Sequence, residues 1–206
     1  MDKKYWENYY NNVGAERKPS LFAQHVLDNY LKEGQSIIEL GCGNGRDCLY
    51  FANHGLNVLA TDQCEAPDLK ENLVNENLKF LATDFTKLDD LGEFNVVYSR
   101  FTLHSITEEQ EDKVIAWSHR NLSDNGYLCI EARGHKNEIF KLGEPVPGQS
   151  NAFIYNDHYR RFVNREILIN KLTNQGFHVV TQEEKKGFAP HNGTDYTFLR
   201  IIATKK

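Results

Sequence analysis

The residues best suited to chemistry stand at the ends of short apolar runs. Ile37-Ile38-Glu39-Leu40 leads into Gly41-Cys42-Gly43-Asn44-Gly45, and a segment with helical character begins at Arg46-Asp47. Three alternating glycines make a turn with no side chains in the way, so backbone N–H groups can approach a ligand closely. The spacing departs from the G-x-G-x-x-G of dinucleotide turns, because position 46 is Arg where that pattern has Gly. A second run, Asn57-Val58-Leu59-Ala60-Thr61, ends in Asp62 and Gln63. A third ends in Thr83-Asp84-Phe85, and a fourth in Ser99-Arg100. A carboxylate at Asp62 can accept two hydrogen bonds from a diol. One at Asp84 can accept from an exocyclic amine, with Phe85 offering an apolar surface to the ring. The plainer reading of either acid is a helix cap or turn former.

A second group of residues is cationic. His104 lies just past the fourth run and would serve as a general base or as a contact to an acceptor molecule. Arg133 follows the fifth run. His158, Tyr159, Arg160 and Arg161 sit together in Asp157-His158-Tyr159-Arg160-Arg161-Phe162. Guanidinium forks grip carboxylate and phosphate at two points, so Arg100, Arg133, Arg160 and Arg161 near one edge point to an anionic small molecule. The alternative is solvation or ion pairing with Glu131 or Asp157. His135 is a secondary candidate, and His191 reads as an exposed turn residue.

Some chemistries are not expected. The four cysteines form no Cys-x-x-Cys pair and the eight histidines are scattered, so no metal site is expected. Cys42 reads as a small turn residue, and the thiols as reduced, which suits a cytoplasmic protein. A formal net charge of -5 argues against nucleic acid as the partner. The first residues, Met1-Asp2-Lys3-Lys4-Tyr5-Trp6, have no apolar signal core, and no run has membrane-spanning length.

Strands at 37–40, 57–62, 78–82, 94–99 and 127–132 must position these groups. Helices are expected between them: one from Pro19 towards Gly34, one after the glycine turn to Asn53, one at 68–76, and one opened by the capping-box spacing of Thr107 and Gln110 and stopping near Asn125-Gly126. Such alternation implies a parallel sheet covered on both faces. Residues 134–163 break the rhythm and read as a substrate-side insertion. A helix from Glu166 to Gln175 and strands at 177–180 and 196–203 close the chain. The last two strands have no long helix between them and can pair as a hairpin. Residues 1–18 read as a polar, aromatic arm, and residues 1–206 as a single domain.

Glu39-Leu40-Gly41-Cys42-Gly43-Asn44-Gly45 resembles the first motif of class I S-adenosylmethionine (SAM) methyltransferases, and the likeness extends from the first strand to the last. It implies a three-layer, Rossmann-like α/β fold with a seven-stranded, mostly parallel sheet whose final strand is antiparallel. It also implies SAM as cofactor. Asp62 would then hold the ribose, Asp84 with Phe85 the adenine, and Glu39 the methionine end. Gly41, Cys42, Gly43, Gly45, Gln63 and Ser99 would line the pocket, and Tyr5 and Tyr9 would belong to a flap over it. His104 and Arg100 become the catalytic candidates, and His104, Arg133, His158, Tyr159, Arg160 and Arg161 the acceptor-binding ones. The chain lacks the Asn/Asp-Pro-Pro-Tyr-type motif that nucleic-acid amino-methyltransferases place after the fourth strand, and the clustered acids of metal-dependent catechol-type enzymes. Gly-Cys-Gly-Asn-Gly-Arg-Asp with Leu-Tyr-Phe-Ala is similar to the tellurite-resistance and thiopurine branches. The 157–162 segment and the ending are similar to methyltransferases of surface-polysaccharide clusters. The expected acceptor is small, polar and anionic or glycan-linked, with oxygen accepting the methyl. The competing readings are an NAD(P)-dependent oxidoreductase and a SAM-binding protein that transfers nothing.

Overall fold

The computed structural model describes residues 6, 18–64 and 75–206. Tyr5, Tyr9 and the rest of the arm apart from Trp6 and Lys18 lie outside the described residues, as does most of the helix expected at 68–76. The central sheet has seven strands in the order β3-β2-β1-β4-β5-β10-β9. They are β1 (Ser36–Leu40), β2 (Asn57–Asp62), β3 (Leu78–Ala82), β4 (Phe94–Arg100), β5 (Leu122–Ala132), β9 (Phe177–Lys185) and β10 (Phe198–Lys205). Strands β1 to β5 pair in parallel, and β10 runs antiparallel to both β5 and β9. The reversal follows from the connection: no helix separates β9 from β10, so nothing carries the chain back for a parallel crossover. The Rossmann-like expectation, antiparallel last strand included, is what the structure shows.

Alternate residues of each strand feed two cores. Ile38, Leu40, Val97, Leu128 and Ile130 pack with Val114, Ile115 and Trp117 of α3 (Glu108–Asn121) and with Leu168 and Leu172 of α4 (Arg165–Asn174). Ile37, Val58, Val96 and Tyr98 face the other way, onto Phe22 and Val26 of α1 (Leu21–Tyr30) and Phe51 and Ala52 of α2 (Arg46–Asn53). Helices on both faces make three layers. Order reverses at β1, which has β2 on one side and β4 on the other. Such a switch point opens a crevice at the carboxyl ends of the strands, where the glycine turn, Asp62 and Ser99 all lie.

Local signals explain most boundaries. Ser20 caps α1 by accepting from Ala23 N at 3.0 Å. Thr107 and Gln110 form the expected capping box on α3. Asn164 caps α4, accepting from Glu166 N and Ile167 N. Three details differ from expectation. Leu122 opens β5 rather than closing α3, because Leu122 pairs with Phe94 at the sheet. Asn125, at φ 62, and Gly126 lie within that strand, where the ladder register shifts, rather than ending a helix. The 134–163 insertion carries its own antiparallel sheet, β6 (Glu144–Pro145), β7 (Ala152–Tyr155) and β8 (His158–Arg161), which covers a small core of Ile139, Phe153 and Phe162.

Candidate functional site

The glycine turn is held from below, and at Gly41 there is no room for a side chain. Gly41 N and Cys42 N both donate to Thr61 O, at 2.8 and 2.9 Å. Gly41 has φ +73, and a Cβ there would sit 2.6 Å from Thr102 Cγ2 and 3.5 Å from a Phe85 ring carbon. No L side chain fits that space or that backbone. Gly43 N donates to Asp62 Oδ2 and Cys64 N to Asp62 Oδ1, each at 2.9 Å. Asp62 therefore welds the turn to the end of β2. Burial raises its pKa, opposed by the N–H groups of Cys64, Gly43 and Gln63.

Glu39 is buried beside the turn, and its Oε2 has no hydrogen-bond partner among the described residues. Burial pushes its pKa well above the carboxylate range, Cys48 and Asp47 push it further, and Arg100 and Arg46 oppose. Its Oε2 has a lone pair to offer a ligand. Asp47, in the first turn of α2, is the opposite case. Its Oδ1 accepts from Ser20 N at 2.7 Å, and its Oδ2 from Ser20 Oγ at 2.7 Å and Tyr98 OH at 2.9 Å. It ties the start of α1, and hence the base of the N-terminal arm, to the helix that leaves the glycine turn. Ser99 Oγ and Thr102 Oγ1 lie 2.5 Å apart. Cys42 is buried and its thiol pKa is raised, first by the Cys48 thiol and then by burial.

Asp84 caps the short turn Phe85–Lys87, its Oδ1 accepting from Thr86 N at 3.0 Å and Thr86 Oγ1 at 2.7 Å. Burial would raise its pKa, but the Thr86 bonds and Lys87 win and hold it low. Its Oδ2 is 3.5 Å from Lys87 Nζ on the solvent side. Phe85 belongs to the core, with one ring edge against the glycine turn.

On the other side of the strand ends, His104 is buried in the turn Leu103–Ser105. Its Nδ1 accepts from Arg133 N at 3.2 Å. Burial, then the charges of Arg133, Arg160, His158 and Arg161, lower its pKa well below the usual value. A neutral imidazole whose Nδ1 accepts carries its proton on Nε2. His104 can therefore donate to an acceptor molecule, but it has no free lone pair with which to act as a base.

The four expected arginines divide. Arg161 is buried, with Nε donating to Ile106 O at 2.9 Å and Nη2 to Leu103 O at 2.8 Å and to Glu111 Oε2 at 2.5 Å. Arg100 pairs with Glu131 at 2.9 Å and covers the Phe101 ring at 4.0 Å. Arg200 takes the other Glu131 oxygen at 2.6 Å, so Arg100, Glu131 and Arg200 form a ladder across β4, β5 and β10. Both Arg161 and Arg100 are thus committed to the scaffold. Arg133 and Arg160 lie by the insertion. Arg133 Nη1 donates to Asn137 Oδ1 at 3.0 Å, and Arg160 Nη1 to Tyr155 O at 2.5 Å. Val163 N donates to Arg133 O at 2.9 Å, which draws the insertion onto the end of β5. Tyr159 OH donates to Gln149 Oε1 at 2.7 Å. The His158 ring meets Trp6 edge-on at 5.2 Å, so the arm reaches the insertion. His135 stacks on Phe140 at 4.4 Å.

Thr102, Asp47 and Glu131 carry weight in this arrangement and have no motif signature. Thr102 follows a strand whose end was visible, and Asp47 follows the glycines directly, but their partners are distant in sequence. Among the described residues no group of three or more His, Cys, Asp or Glu is placed to hold a metal ion, and no helix is long and apolar enough to cross a membrane.

Comparison with known proteins gives these likenesses. A family model described as a methyltransferase domain matches residues 10–182. An uncharacterized methyltransferase of Synechocystis sp. is 30% identical over 123 residues, 58% of this chain and 56% of that protein. Phosphoethanolamine N-methyltransferase 1 of Zea mays is 27% identical over 146 residues, 61% of this chain and 28% of that protein. The chain thus spans about half or less of the length of these two relatives. In fold it is similar to the 1,6-didemethyltoxoflavin-N1-methyltransferase of Burkholderia thailandensis, a structure that holds 1,6-didemethyltoxoflavin and S-adenosylhomocysteine. The TM-score is 0.77 at 20% identity, covering 100% of this chain and 86% of that one.

Proposed function

The chain belongs to the methyltransferase domain family of the class I SAM-dependent superfamily, and from that premise we propose that it transfers the methyl group of SAM to a small, polar acceptor that carries negative charge. The observation that carries the proposal is the crevice at β1. A turn whose Gly41 admits no Cβ, a buried acid with an unused lone pair at Glu39, and a second acid, Asp62, at the end of β2 fit a ligand with an ammonium group at one end and a diol further on. Glu39 meets the ammonium, Asp62 the ribose hydroxyls, and Asp84 Oδ2 with the Phe85 edge the adenine. SAM, when bound, supplies a methyl already activated on a sulfonium.

What remains for the protein is alignment and exclusion of water. His104 Nε2–H, Arg133 and Arg160 flank the acceptor side of the crevice, and the insertion with Trp6 covers it. Tyr159 and His158 line the insertion. His104, with its Nδ1 bonded to the Arg133 N–H, is placed there as a donor and not as the base that a neutral hydroxyl would need. We read the acceptor atom as one that attacks without His104 as a general base. That favours an amine over the oxygen acceptor expected from the sequence, and it agrees with the nitrogen acceptors named for the maize and Burkholderia proteins. Reduced, buried cysteines and the acidic net charge support a cytoplasmic enzyme with no nucleic-acid partner.

The test is incubation with methyl-labelled SAM and a panel of phosphorylated amines, amino acids, sugar phosphates and neutral sugars. Label should pass to an acceptor that combines an amine with an anion. Transfer to neutral sugars alone would refute the acceptor assignment, and no transfer to any class would favour a SAM-binding protein.

A further inference from the structure

Arg133 is a cation without an anion. Its guanidinium donates to a neutral amide, Asn137, and faces the rings of Tyr196 and Phe198 at 5.3 and 5.0 Å. It makes no ion pair with any carboxylate among the described residues. Glu138, whose charge reaches it, is engaged elsewhere. Its Oε2 accepts from Thr197 N at 2.7 Å, its Oε1 from Thr197 Oγ1 at 3.0 Å, and Lys186 lies 3.3 Å from Oε1. Burial, then the charge of Arg160, pulls Arg133 down to about 10. Arg133, Arg160 and His158 all bear on the neutral His104, whose Nδ1 is bonded to the Arg133 backbone. A half-buried cation facing a second cation is costly unless something completes it. Elsewhere in this protein such groups are completed: Arg161 has Glu111, and Arg100 and Arg200 share Glu131.

We propose that Arg133 and Arg160, with His104 Nε2–H, grip an oxyanion of the acceptor, a carboxylate or a phosphate, as a handle, and that the methyl goes to a different atom of the same molecule. The proposal rests on the methyltransferase reading and adds which part of the acceptor is held and which part reacts. An oxyanion gripped by guanidinium and imidazole donors has its lone pairs engaged, so it is a poor nucleophile. The same grip fixes the rest of the molecule, which is what an aligned displacement requires. In that step a lone pair of the free atom forms the bond to the methyl carbon while the carbon–sulfur bond breaks. The bonding pair stays on sulfur, and the proton of an amine acceptor leaves to solvent. The product keeps the full negative charge of its handle. Arg161 takes no part, although it is adjacent in sequence.

The handle can be tested without knowing the acceptor. The protein is first saturated with S-adenosylhomocysteine and then titrated calorimetrically with inorganic phosphate and with acetate. Saturable binding of at least one is expected in the wild type. Arg133→Gln and Arg160→Gln should each weaken it about tenfold or more, the scale of one lost charge-assisted contact, with S-adenosylhomocysteine affinity unchanged. Arg133→Lys should recover part of it. Should Arg133→Gln fail to fold, Arg160→Gln carries the comparison. Neither anion binding to the loaded protein, or binding that both Gln variants leave intact, overturns the handle. Failure of S-adenosylhomocysteine itself to bind removes the methyltransferase reading instead. The division between handle and reacting atom has its own readout in the labelled products. Label stable both to alkali and to phosphodiesterase followed by phosphatase is expected, and label released as methanol by either treatment, the mark of a methyl ester on a carboxylate or a phosphate, overturns it.

Discussion

Arg160 and Arg161 are neighbours in sequence with opposite work, and replacing Arg161 with Met separates them. Arg161 makes two bonds to backbone carbonyls and one ion pair to Glu111, all buried. The carbonyls belong to Leu103 and Ile106, so the side chain pins the turn that holds His104. Breaking a buried pair costs roughly 3–5 kcal/mol because the surviving partner is left uncompensated. Here Lys171 Nζ stays 3.1 Å from the other Glu111 oxygen, so the lower end applies. The expected loss is about 3 kcal/mol, or a Tm fall of roughly 6–12 °C for a chain of this size. Thermal unfolding followed by circular dichroism reads it directly. A double-mutant cycle with Glu111→Gln should show a coupling above about 1 kcal/mol. Arg160→Gln, which gives up a hydrogen bond to Tyr155 O and a contact with the Tyr155 ring rather than a buried ion pair, should lower Tm by clearly less than Arg161→Met does. If Arg161→Met unfolds at the wild-type temperature, or if Arg160→Gln is the destabilised one, the assignment of the two arginines is wrong.

Three further outcomes are expected. Gly41→Ala places a methyl 2.6 Å from Thr102 Cγ2 at φ +73 and should lower SAM affinity at least about tenfold, through about 1–2 kcal/mol of backbone strain plus the clash. Adding Thr102→Ser, which removes that methyl, should recover part of the loss in a binding titration, whereas wild-type affinity in the single variant would show the close approach is unused. Burial raises the pKa of Glu39, and a ligand ammonium beside it should pull that pKa back down, so binding should release protons. Binding heats at pH 7 in phosphate and Tris should then differ, and Glu39→Gln should abolish the difference; equal heats in the wild type would place the ammonium elsewhere. His104 has a lowered pKa, so the unfolded chain takes up its proton first, and stability contributed by the neutral ring is lost as pH falls below about 6.5. His104→Gln keeps a donor and should retain kcat within about tenfold, while a loss of 10²–10⁴, on the order expected for a general base, would contradict the donor role.

The sequence reveals what is periodic or locally capped. Apolar runs ending in polar or charged residues locate β1 to β4, and the Thr107–Gln110 spacing locates α3, because those signals act within a few residues. Asp62 is legible for the same reason, because it ends a strand, although one of its partners, Gly43, lies in the earlier glycine turn. Asn125-Gly126 is misleading. It has turn chemistry, but Leu122 pairs with Phe94, and that distant partner turns the stretch into a kinked strand. The insertion reads as irregular because strands of two to four residues leave little alternation to detect. The arginines show the limit most plainly. Nothing local distinguishes Arg160 from Arg161, or Arg100 from Arg133. The difference lies in Glu111, Glu131 and Asn137, and of these only Asn137 is near its arginine in the chain. Neither can composition show that Arg133 already occupies His104 Nδ1, which decides whether that histidine gives or takes a proton.

The central claim is that the crevice formed by the glycine turn, Glu39 and Asp62 binds SAM. Calorimetric titration of the wild-type chain and of Asp62→Asn with SAM and with NADH tests it most directly. Asp62→Asn keeps an oxygen near Gly43 N but gives up the charge, so SAM affinity should fall about tenfold or more, the scale of one charge-assisted bond. The account predicts tight SAM binding by the wild type, that loss in the variant, and no binding of NADH to either. NADH binding without SAM binding, or equal SAM affinity in the two proteins, would contradict it.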